Sequence, residues 1–147
     1  MIITYAEIDG FKNLSGVSFA PDPKYNIILG PNAQGKTNLL EAMWILSGCK
    51  SFRGSKEKDY IALGGNKMSS KIRIKDSVRE QKISFEMTKN AASPKVIHLY
   101  GVKQKGTKAI FDVFKCIAFI PDDTEIIKGS PEKRRNFIDM GGIPPAR

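Results

Sequence analysis

Histidine occurs once in this chain and cysteine twice, and both scarcities narrow the chemistry. Cys49 and Cys116 do not form a C-x-x-C pair, so buried thiols are expected in place of a metal site or a disulfide. His98 alternates with apolar residues in VIHLY, which reads as a strand position and not as a catalytic base. No apolar run approaches the roughly 18 residues of a membrane span. The amino terminus, MIITYAEID, lacks the charged head and long apolar stretch of a secretory signal. A cytoplasmic location with no membrane partner is therefore expected. Acids are scarce too: 15 Asp and Glu stand against 24 Lys and Arg, for a net charge of +9 and a pI near 9.6. That surplus draws a chain to polyanions, nucleic acid first, although its scatter along the chain also suits plain solubility.

What the sequence does contain is a phosphate-loop pattern. Residues 30–37 read GPNAQGKT and fit G-x-x-x-x-G-K-[ST] at every position. Gly30 and Gly35 accept backbone geometry that a Cβ disfavours, and Pro31, Asn32, Ala33 and Gln34 fill the loop whose N–H groups converge on an anion. Lys36 supplies a point charge for the β- and γ-phosphates, and the Thr37 hydroxyl suits Mg²⁺. Such a pattern arises by chance, so its flanks decide. Before it, residues 25–29, YNIIL, have the β-branched and aromatic content of a buried parallel strand. After it, residues 36–47 carry Leu39, Leu40, Met43, Trp44 and Leu46 at helical spacing, with Gly48 where a C-terminal cap belongs. Strand, glycine loop and helix form the required context, and the helix N-terminus adds partial positive charge to the same phosphates. Nucleotide binding follows.

Elsewhere, residues 1–8 and 17–20 read as strands. A basic, glycine-rich stretch, SFRGSKEKDYIALGGN, follows the helix and allows a short helix at 56–62. The segments SKIRIKD, QKISFEMT and KVIHLYG alternate polar and apolar residues between turns, which predicts an antiparallel meander with one solvated face. A short helix is expected over 107–114. KCIAFI, residues 115–120, reads as a buried strand stopped by Pro121. The run IIKGSPEKRRNFIDM looks like a turn and a helix, with Ser130 as N-cap and Pro131 at the first helical position. CIAFIPDD also has the look of a Walker B strand running into acids.

Several separated motifs agree with one family. AEIDGFKNL, GPNAQGKTNLLEAM, SFRGSKEKDYI and FIPDDTEIIKGSPEKRRNFID, in this order and covering residues 1 to about 140, resemble the RecF family of bacterial recombination mediators. The resemblance implies an α/β P-loop NTPase of the ABC/SMC-head type, here its first lobe, with a mixed sheet and an antiparallel meander around the Walker A strand, loop and helix. It implies that Lys12 and Asn13 lie near ATP and that Arg53 belongs to a basic loop able to reach ATP or DNA. It also places F-x-P-x-D at the Q-loop, so that Asp123 approaches Mg²⁺ or its water. Such heads need an L-S-x-G-Q signature and a later Walker B run, and neither is found before Arg147. The tail GGIPPAR, residues 141–147, departs from the family and is expected to be atypical.

Hydrolysis needs a second set of γ-phosphate donors and a water-orienting acid. The chain is therefore expected to bind ATP with Mg²⁺ and to hydrolyse it negligibly alone. For the intact family the resemblance implies ATP-dependent homodimers on DNA at single-strand gaps and junctions, with RecR and RecO as partners. Lys128, Lys133, Arg134 and Arg135 suit DNA contact or a solvated helix face equally, and Arg53 is the stronger candidate. A different reading is a structural fragment of a disrupted RecF reading frame, without independent activity and with sticky unpaired sheet edges.

Overall fold

Alternation in the sequence becomes a sheet with one greasy face. A computed structural model of the protein describes residues 1–91, 94–121, 130–132 and 135. Six strands, β1 (Ile2–Asp9), β2 (Val17–Phe19), β3 (Lys67–Lys75), β4 (Glu80–Thr88), β5 (Lys95–Leu99) and β6 (Val102–Gln104), pair antiparallel in the order β2-β1-β3-β4-β5-β6. Register aligns the apolar positions into rows: Ala6, Ile72, Ile83 and Leu99 form one, and Ile8, Ser70, Phe85 and Ile97 the next. These rows are buried, and each large side chain among them contributes roughly 1.5–3 kcal/mol of apolar transfer. The meander is thus the one its alternating segments predict.

Helix α1 (Lys36–Ile45) lies over that face through Ala42, Ile45 and Leu46. Ser70 is small and fully buried where the helix crosses β3, and its hydroxyl donates to the Ala42 carbonyl at 3.4 Å. The turn that Gly48 closes ends the helix, as its position predicts, with φ +85 and its N–H on Ile45 O. Gly10, at the end of β1, is required by a close approach. Its φ is +65, and a Cβ there would sit 2.4 Å from the Lys67 carbonyl oxygen. From this point the chain turns tightly through Phe11, Lys12, Asn13 and Leu14. The turn is pinned to residues 60–62 by Lys12 N–H on Tyr60 O, Ala62 N–H on Gly10 O, and the Phe11 and Tyr60 rings 5.5 Å apart. The expected helix at 56–62 is a single 3₁₀ turn, Glu57–Asp59, and that at 107–114 is the short α2 (Lys108–Phe111).

Two expected strands do not form. Residues 25–29 enter no ladder, and Tyr25, Ile27 and Leu29 are 85 %, 81 % and 85 % exposed. The sheet of the described residues is accordingly antiparallel throughout, where a mixed sheet with a parallel Walker A strand was expected. A sequence pattern carries only one side of a strand pairing, and YNIIL finds no neighbouring edge among the described residues. Residues 115–120 likewise hold no strand, with Ile117 and Phe119 exposed. The chain divides into units Met1–Cys116 and Ile117–Arg147. In the second, Pro131, Glu132 and Arg135 are helical, in keeping with the expected turn and helix. Asp123, Lys128, Lys133, Arg134 and the tail 141–147 lie outside the described residues. Among the described residues no helix is long and apolar enough to cross a membrane.

Candidate nucleotide site

The phosphate loop starts where α1 starts, because Gly35 is the helix N-cap. It adopts the left-handed conformation, φ +97, and no side chain caps the helix. The first-turn N–H groups of a helix have no partner within it, so at an uncapped start they stand ready for an anion. Gly30 (φ +151) and Ala33 (φ +63) add two further positive φ values in the same loop. Ala33 holds a conformation that costs an L-residue about 1–2 kcal/mol, which marks a shape imposed by the surroundings. Gly35 has a second reason to lack a Cβ, which would meet Asn13 Oδ1 at 2.7 Å and Leu14 Cδ2 at 2.8 Å. Pro31, Asn32, Ala33, Gln34 and Thr37 are exposed, and Gly35 is buried beneath them.

Lys36 curls back over this loop. Its ammonium donates to the carbonyls of Gly30 and Pro31, each at 2.6 Å. An incoming polyphosphate would therefore compete with two carbonyl oxygens for this ammonium. A loop of this shape at the open start of a helix, with a lysine over it and the exposed Thr37 hydroxyl alongside, fits a Mg²⁺-bound polyphosphate.

Two other segments reach the loop and the first turn of its helix. Asn13 donates from Nδ2 to the Ala33 carbonyl at 3.2 Å, and its Oδ1 accepts from Asn38 Nδ2 at 2.8 Å. Arg53 donates to Asn38 Oδ1 at 3.0 Å. Asn13 and Arg53, both expected near the nucleotide, are thus joined to the loop through an asparagine that the pattern did not single out. Lys12 is placed differently: its ammonium bridges Glu41 Oε2 at 2.6 Å and Ser55 Oγ at 2.8 Å, beneath the loop. Glu41 is fully buried, and its other oxygen accepts from Ser51 Oγ at 2.5 Å. The Ser51 N–H donates to the Tyr60 hydroxyl at 3.1 Å. Burial foremost, then the charges of Glu57 and Glu41, raises the Tyr60 phenol above its ordinary value, while the Ser51 N–H lowers it.

One stripe of α1 organises all of this. Asn38, Glu41 and Trp44 follow one another at three-residue spacing, which stacks them on one side of a helix. Trp44 donates to the Lys50 carbonyl at 2.8 Å and meets the Phe52 ring edge-on at 6.1 Å. The basic loop is therefore laid along the phosphate-loop helix, and Arg53 falls beside its first turn. The sequence signal was available in Glu41, a charge next to Ala42 and four residues before Ile45 on the core side, but Asn38 and Glu41 also read as ordinary solvated helix positions.

The family described as AAA domain matches residues 6–139. A curated relative, the DNA replication and repair protein RecF of Lachnoclostridium phytofermentans, is 35 % identical over 140 residues, which is 95 % of this chain and 38 % of the relative. Among solved structures, one of the recombination mediator protein RecF with ATP in the RecFOR pathway superposes with a TM-score of 0.84 at 36 % identity, covering 93 % of this chain and 38 % of that one. Another, from work on ATP-driven dimerization and DNA-stimulated activation of SMC ATPases, gives a TM-score of 0.74 at 22 % identity over 97 % of this chain and 100 % of that one. That likeness establishes the fold, a P-loop ATPase head. The chain spans 38 % of the length of the curated relative it matches.

Proposed function

This chain belongs to the AAA-domain family, and we propose that it is the ATP-binding lobe of a RecF-like recombination mediator acting in DNA replication and repair. One observation carries the reading: Lys36 folded over a loop of left-handed residues at the uncapped start of α1. The likeness to RecF with bound ATP supports adenine as the base, because a phosphate loop reads phosphates. Bound Mg²⁺ would screen the phosphate charge, with the Thr37 hydroxyl as its protein ligand and Asp123 as a further candidate. Gly30, Pro31, Asn32, Ala33, Gln34 and Gly35 would present backbone N–H groups, and Lys36 would move from its two carbonyls to the β- and γ-phosphates. Asn13 would hold the loop through Ala33. The excess of Lys and Arg supports contact with DNA phosphates, a term that weakens with salt. Single-strand gaps and junctions as the target, ATP-dependent pairing of two heads, RecR and RecO as partners, and a cytoplasmic setting belong to the same proposal.

Mg·ATP titrated into the chain, followed by calorimetry, tests it. Saturable binding is expected for the wild type and at least a tenfold loss for Lys36→Ala, a change of about 1.4 kcal/mol or more. Phosphate release in the same samples is expected to stay at background, because the signature motif and Walker B acids are missing from the sequence. Absence of wild-type binding would overturn the reading, and steady release lost in Lys36→Ala would overturn the part about hydrolysis. The exposure of Tyr25, Ile27 and Leu29 favours a second reading, a structural piece with no activity of its own. A folded chain that fails to bind would favour it.

A further inference from the structure

A fully buried carboxylate lies one helical turn behind the phosphate loop, and both of its oxygens are in use. Stability alone gives a poor account of it, since a buried ion pair replaced by apolar side chains of similar volume is often neutral or stabilising. Direction gives a better one. Ser51 Oγ accepts two backbone N–H groups, from Arg53 and Ser55, each at 3.1 Å. A hydroxyl has one proton and two lone pairs, so both acceptor positions are taken and the proton needs an acceptor of its own. Glu41 Oε1 is that acceptor. The other oxygen, Oε2, holds Lys12, whose backbone sits at φ +50 in the turn that carries Asn13. One carboxylate thus fixes the two segments that meet at Asn38.

We propose that Glu41 is a positioning residue of the nucleotide site, its buried carboxylate holding Lys12 and the 51–55 loop so that Asn13 is delivered to the phosphate loop at Ala33 and Arg53 to Asn38 beside it. The inference rests on the nucleotide reading given above. Glutamine at this position has one acceptor atom in place of two. Its amide N–H groups would face either the Lys12 ammonium or a Ser51 oxygen whose lone pairs are already occupied. Glu41→Gln therefore releases one of the two segments while the shape of the side chain is retained.

The test is a double-mutant cycle on Mg·ATP affinity by calorimetry, with wild type, Glu41→Gln, Arg53→Ala and the double variant, each melted alongside. Glu41→Gln is expected to weaken binding about tenfold and Arg53→Ala severalfold. The double variant is expected to be no weaker than Glu41→Gln within about twofold, because Glu41 acts through the loop that carries Arg53. Ile74→Val, in the sheet core and away from the loop, controls for lost stability; it costs about 0.5–1.5 kcal/mol and should leave affinity unchanged. If Glu41→Gln does not fold, Ser51→Ala cuts the same link on the loop side and should show the same non-additivity with Arg53→Ala. Binding by Glu41→Gln within twofold of wild type, or losses that simply add, would overturn the inference and leave the nucleotide site standing. A wild type that does not bind overturns both.

Discussion

Tyr60 joins the two halves of the site's support, with its ring against Phe11 and its hydroxyl under Ser51, and that makes it a pH reporter. Burial holds its phenol neutral to a higher pH than in the unfolded chain, with the Glu57 and Glu41 charges adding to the effect. The native state therefore keeps a proton that the unfolded state gives up near pH 10. Below that pH the contribution is fully present, and above it stability falls as the unfolded chain ionises. Urea unfolding of wild type and Tyr60→Phe at pH 8, 9.5 and 10.5 should show a steeper decline for the wild type above pH 10; parallel curves would refute the assignment. Such residue-scale facts are unevenly legible. GPNAQGKT announced Gly35 and Lys36 because the glycine requirement is local to the backbone. Glu41 gave no comparable sign, since its partners Lys12 and Ser51 lie 29 and 10 positions away and only the fold brings them together.

At the scale of elements, the meander was readable because each strand's alternation states which face is buried, and short turns leave little choice of neighbour. The β3–β4 turn illustrates this: Asp76 Oδ1 accepts the N–H groups of Val78 and Arg79 at 2.8 and 2.9 Å, and these bonds, by favouring the carboxylate, lower its pKa from the ordinary value. The junction of β1 with the Lys12 turn was less readable, for it depends on how closely β3 passes. Gly10→Ala puts a Cβ 2.4 Å from a backbone carbonyl, where no side chain can swing aside, whereas Gly16, at φ +61, has open space around it. Gly16→Ala should cost only the left-handed strain, about 1–2 kcal/mol. Gly10→Ala should cost more, about 3 kcal/mol or above, as overpacking is added to strain. Chemical denaturation of the two variants checks this, and equal losses would mean that β1 and β3 have room to part.

Among the described residues, large apolar side chains such as Leu63 and Val78 are exposed singly, whereas residues 25–29 expose several together. Tyr25, Ile27 and Leu29 lie on the segment that leads straight into the phosphate loop, and all three are largely exposed. YNIIL was read as a buried strand on composition that is correct for one. What composition cannot supply is the neighbouring edge, and the described residues supply none. A single exposed aliphatic side chain is ordinary, but several within five residues that enter no strand ladder form a surface that attracts other chains. Concentration should therefore drive self-association of this chain. Sedimentation velocity is expected to show the weight-average coefficient rising from low to high micromolar protein for the wild type. Ile27→Lys, which puts a charge in the middle of the segment, should flatten that rise while leaving the melting transition in place, because Ile27 contributes nothing to the core. A wild type that stays monomeric across the range would show that this segment is covered in solution, and the open arrangement of residues 25–29 would have to be abandoned.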